Sequence, residues 1–185
     1  FPTVPLRIKT EIMEDVAVQV TQGQSQIGII GPVELEDDSI QREFLTQIEL
    51  WPVVSSNHPL ARHTNPIQSS DMLDEVQIVI GHRNQKANKS SANVISRKTW
   101  RVADATTKLE LIEAGLGWGY LPLPTIRNGL ENKRLTKLHL ESRGPQPALV
   151  SLSRITSTHH PAGPATRWIA KELKRITSAP QKAES

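Results

Sequence analysis

Leu6, Ile8 and Thr10 alternate with Arg7, Lys9 and Glu11, a period of two that predicts an opening strand with one buried face. Ile12, Met13, Val16 and Val20 then recur at helical spacing up to Gly23, which predicts a helix closed by a glycine. The short apolar run QIGIIGP at 26–32, stopped by Gly31 and Pro32, predicts a buried strand. One or two strands follow over 44–55, ending in the loop SSNHPLARHTNP, where Pro59 and Pro66 interrupt any regular structure. A short helix over 69–73 leads to a second apolar strand, QIVIG, at 77–81, and the polar stretch 82–98 supports no prediction.

The pattern then resumes with a strand at WRVAD (100–104) and a helix at TTKLELIEAG, whose Ala105, Leu109 and Ile112 face inward. WGYLP reads as a strand, PTIRNGLEN as a short helix, and LTKLHL and PALVSLSR as strands. A helix over 163–177 closes the fold before a frayed tail. Strands alternating with helices of this length predict an α/β protein with a mainly parallel sheet, or two such sheets joined by crossover segments.

Composition narrows the function more than the fold. The 185 residues fit one domain or two small lobes, and 37% apolar with 22% charged residues is enough to form a core. A formal charge of +3, from 22 Lys and Arg against 19 Asp and Glu, is nearly balanced, and no cationic block occurs. The densest basic patch, 167–175, is interleaved with Trp168, Ile169 and Leu173 and reads as a helix with one solvated face, which argues against a nucleic-acid surface on this chain. With no cysteine, disulfides and thiolate metal sites are excluded, and a reducing compartment is compatible. No apolar run approaches the roughly 18 residues that span a bilayer, and FPTVPLRIKTE lacks the pattern of a signal peptide, so a soluble chain is expected.

A search for catalytic chemistry returns little. GxSxG, HExxH, GxxxxGK[ST] and a GxGxxG following the first strand are all missing from the sequence. His159 and His160 are adjacent and followed by Pro161, a poor spacing for metal ligands. Glu34, Glu36, Asp37 and Asp38 lack the glycine and spacing of a calcium loop and read as a solvated acidic loop. No enzyme activity, cofactor or metal is therefore expected. DATTKLELIEAGLGWGYLP is more informative: Asp104 or Thr107 caps a helix whose free N–H groups suit an anion, unless Asp104 fills those donors itself. Gly115, Gly117 and Gly119 permit a tight return into the next strand, where Trp118 and Tyr120 share a face, with core packing favoured over ligand contact.

GLGWGYLP at 115–122, together with VVSSNHPLA at 53–61, resembles the effector-binding domain of LysR-type transcriptional regulators. Phe1-Pro2 with Val4 and Leu6, and the strand at 26–30, extend the resemblance from the start of the chain to about Thr177. The resemblance implies a fold like type 2 periplasmic binding proteins: two α/β subdomains with mainly parallel sheets, joined by two crossover strands, with an effector cleft between them. It places residues 1–75 and 157–185 in the first subdomain, lacking the family's first strand and helix, and 76–156 in the second.

Matching cleft positions are Gly31, Pro32, Ser55, His82, Arg83, Ala103, Asp104 and Thr106. Ser55 and Thr106 would donate hydroxyl hydrogen bonds to an anionic effector, and His82 or Arg83 would supply charge, with a solvent-facing loop as the alternative for Arg83. The implied protein is cytoplasmic, self-associates to a dimer or tetramer, and reaches DNA only through a helix-turn-helix domain absent from this chain. The alternative is an extracytoplasmic solute-binding protein of the same fold.

Overall fold

The computed structural model describes residues 1–11, 13–35, 37–81 and 93–178. In chain order the elements are α1 (Met13–Thr21), β1 (Gly28–Ile30), β2 (Ile40–Ser55), α2 (Ser69–Met72), β3 (Val76–Ile80) and β4 (Lys98–Val102). They continue with α3 (Ala105–Glu113), β5 (Trp118–Pro122), α4 (Leu123–Glu131), β6 (Leu135–Lys137), β7 (Ala148–Ser157) and α5 (Pro164–Ser178). Backbone contacts group them into two compact units, Phe1–Ile48 with Val150–Ser185, and Glu49–Leu149. Two long strands, β2 and β7, each carry the chain from one unit into the other.

In the first unit β1 pairs antiparallel with β7, Gly28 opposite Ile155 and Ile30 opposite Ser153. Ala17 and Val20 of α1 pack on Ile30, Val33 and Ile155, so the helical apolar stripe covers one face of the strands. Glu43 on β2 takes both Arg154 of β7 and Lys174 of α5, whose Nζ lies 2.6 Å from its Oε1. Lys174 first, and Arg154 second, hold the Glu43 carboxyl below the ordinary carboxylate range.

The expected strand at 6–10 does not form. Alternation needs a hydrogen-bonded neighbour to become a strand, and no described strand pairs with these residues; Leu6 and Ile8 are 67% and 81% exposed.

In the second unit the end of β2 pairs antiparallel with β5, from Leu50 opposite Pro122 to Val54 opposite Trp118, and with β6. The parallel pairing expected from strand-helix alternation is found where β3 joins β4 and β5. Because β2 ends on β5 and β6, the stretch 49–75 groups with the second unit, whereas the sequence placed it with the first. Successive strand residues face opposite sides. Val53 accordingly joins Ile78, Ile112, Leu121 and Ile126 under α3 and α4, and Val54 joins Leu60, Met72, Trp118 and Tyr120 on the other face. Burial on both faces explains why VVS and WGYL read as continuous apolar runs.

A buried polar network orders the approach to β4. Gln77 donates through Nε2 to Asn93 O (2.6 Å) and accepts from the N–H groups of Ile95 and Ser96 (2.8 and 3.1 Å). Ser96 Oγ donates to Met72 O (2.6 Å) and accepts from Trp118 Nε1 (3.0 Å). Trp118 and Tyr120 meet edge to face with centroids 5.7 Å apart, both buried, as their core reading anticipated. Gln77→Leu leaves two backbone N–H groups and a carbonyl without their partner, so we expect a loss of about 2–3 kcal/mol in urea unfolding; unchanged stability would show that water substitutes for the side chain.

Candidate functional site

The start of α3 is set by Asp104, whose Oδ1 accepts from Thr107 N–H (2.9 Å) and whose Oδ2 accepts from Thr107 Oγ1 (2.9 Å). These two bonds, the backbone one first, hold the Asp104 carboxyl below its ordinary value. The chain's own carboxylate therefore occupies the amino end of α3, the outcome that sequence alone left open against a free anion site. Ala103 and Thr106 flank it and are exposed.

The other end of α3 closes with Leu116 N–H on Leu111 O (3.1 Å) and Gly115 N–H on Ile112 O (2.9 Å), Gly115 taking φ 78°. Ser55 belongs to this end. It is 4% exposed, stands opposite Leu135 of β6, and lies under Gly115, where an added Cβ would come within 4.0 Å of its own. Nine residues of α3, about 13 Å at 1.5 Å per residue, separate it from Asp104. Ser55 thus does not join Ala103, Asp104 and Thr106. The reason is register: β2 runs antiparallel to β5, so its last residue reaches the beginning of β5.

Gly31 and Pro32 lie in the first unit, Gly31 buried and Pro32 exposed. Their loop is held by Arg42, which donates to Gly31 O and Val33 O, each at 2.7 Å. Arg42 was missed because it is 11 residues from Gly31 and no local motif links them. His82 and Arg83 lie outside the described residues.

The second residue missed is Lys108. It is 6% exposed, and burial lowers its ammonium pKa to about 8, with no charged group contributing. Its stem crosses Gly119: a Cβ there would stand 2.7 Å from Lys108 Cε and 2.7 Å from Ile78 O. A signal existed, since position 108 falls on the same helical stripe as Ala105, Leu109 and Ile112, where a lysine interrupts an apolar face.

The family model for the LysR substrate binding domain matches residues 1–177, and the chain belongs to that family. It is similar to the HTH-type transcriptional regulator AceR of Acinetobacter baumannii, 26% identical over 97% of this chain and 60% of that protein. The chain thus spans about three-fifths of that relative's length. Among solved structures it is similar to the regulatory domain of CcmR from Synechocystis PCC6803 in complex with 2-PG. There the TM-score is 0.73 at 16% identity, covering 97% of this chain and 86% of that one. It is also similar to the effector binding domain of QuiR in complex with shikimate, with a TM-score of 0.69, 19% identity, and 90% and 78% covered. These likenesses show the fold, α/β of the type 2 periplasmic-binding-protein kind.

Two outcomes follow for the residues of α3. Asparagine also caps helices, so Asp104→Asn should keep the neutral-pH melting temperature nearly unchanged. A carboxyl with a lowered folded pKa stabilises above its unfolded pKa and loses that contribution as pH falls through the folded value, so the variant should lose less stability than the native chain in acid. Lys108 runs the other way. Below about pH 8 its ammonium is charged in both states and burial destabilises the fold. Between about 8 and 10.5 the folded state releases the proton first, and stability rises. Lys108→Met should therefore gain roughly 1–3 kcal/mol below pH 8, with the advantage shrinking toward pH 10.5, as followed by denaturant melts across that range.

Proposed function

We propose that this chain is the effector-binding domain of a LysR-type transcriptional regulator, a binder of small molecules and not an enzyme. The observation that carries the reading is the family match over 1–177, together with relatives named as transcriptional regulators. CcmR and QuiR, of the same fold, were solved with 2-PG and shikimate bound, which supports a small-molecule ligand. The regulator names also favour this reading over a solute-binding protein.

On this reading the resemblance makes Gly31 and Pro32 in the first unit, Ala103, Asp104 and Thr106 in the second, and His82 and Arg83 effector-recognition positions. The two units act as the regulator's two subdomains, and β2 and β7 as the strands that join them. An effector changes the protein only through a difference in affinity between two states. That shift is passed to a helix-turn-helix domain, in a dimer or tetramer working in the cytoplasm.

Isothermal titration of the chain with small organic acids, shikimate included, and with aromatic compounds tests the reading. Saturable binding of one class is the expected result, and heat-silent titrations throughout the panel would overturn it.

A further inference from the structure

Among the described residues Lys108 is the only buried lysine, arginine, aspartate or glutamate. Four other cations have carboxylate partners: Arg154 and Lys174 take Glu43, Arg134 takes Glu113, and Arg175 takes Glu172. Lys108 makes no ion pair or hydrogen bond among the described residues. Even Asp104, one helical turn before it, spends both oxygens on Thr107.

Lys108 Nζ is nevertheless not sealed completely from solvent. Its stem is held between α3 and the sheet, with Cε over Gly119 beside Ile78 O, and Ile112 Cδ1 packs against the same glycine. The result is a cation fixed by an apolar cradle, with no described partner for its charge and a residual contact with solvent. An unpaired charge in such surroundings is costly, and an anion docking on it gains more than the same contact would in water.

We propose that Lys108 is the charge anchor of the second unit for an oxyanionic small molecule, its ammonium taking a carboxylate or phosphate oxygen. It, and not the amino end of α3, sets the preference for anions, because Asp104 already places a negative charge at that end. A single ammonium is a point charge with rotatable donors and so accepts either kind of oxygen without requiring a planar partner. The proposal rests on the effector-binding reading and deepens it by naming the ligand's chemical class.

Lysine labelled with carbon-13 at Cε reports the anchor directly, its resonance assigned by its loss in Lys108→Met. The chain is titrated into the millimolar range with sodium benzoate or inorganic phosphate at constant ionic strength, with neutral benzamide as control. At least one oxyanion should shift the Lys108 resonance and raise its titration midpoint, benzamide should do neither, and Lys108→Met should weaken oxyanion binding about tenfold or more. Lys108→Arg should restore part of the loss. A Lys108 resonance unmoved by both oxyanions, or native-like oxyanion affinity in Lys108→Met, overturns the proposal. If neutral or other compounds still bind while Lys108 stays silent, the effector-binding reading stands and the lysine's role falls. If no compound of any class binds, both fall.

Discussion

Where β5 begins, the backbone of β3 lies so close that a Cβ at Gly117 would stand 2.4 Å from Val76 O, and one at Gly119 2.7 Å from Ile78 O. The second unit depends on this approach. It lets β5 sit between β2 and β3, with Trp118 opposite Val54 on one side and beside Gln77 on the other. Trp118 and Gln77 then reach across to the 93–96 segment and deliver the chain to β4, from which α3 starts. A pair of glycines thus sets the spacing of the sheet, and the sheet in turn sets where α3 begins and ends.

The same close approach governs the electrostatics. Bare backbone at Gly119 leaves the space that the Lys108 stem fills, so a residue type that belongs on the surface becomes a buried one. Asp104, on the same helix, is satisfied by its own first turn. Opposite charges one turn apart therefore have different fates: the carboxylate finishes the helix, and the ammonium has no partner among the described residues. Glu43 in the first unit shows the contrasting arrangement, in which two cations and one anion settle among themselves.

Much of this was legible in the sequence. Helix and strand periodicity located α1, α3, α4 and α5 and the apolar strands β3 and β5, and two short motifs carried the family, because both depend on local spacing that a linear pattern preserves. Failures came where a long-range partner decides the outcome. Residues 6–10 alternate like a strand yet have no described neighbour to bond, and Ser55 stands at the far end of α3 from Ala103, Asp104 and Thr106 once the antiparallel register of β2 and β5 is known. Arg42 binds a loop 11 residues away, a relation that no local motif expresses.

The sequence by itself determined the class of fold, the family, the glycine-framed return at 115–119 and the core role of Trp118 and Tyr120. All of these follow from side-chain periodicity, backbone freedom and apolar content. Tertiary structure alone decided which polar groups are left over: that the amino end of α3 is already filled, that Ser55 is remote from it, and that Lys108 is buried without a partner among the described residues. Satisfaction of a charge or a hydrogen bond is a property of neighbours in space, and a chain read in one dimension does not contain them.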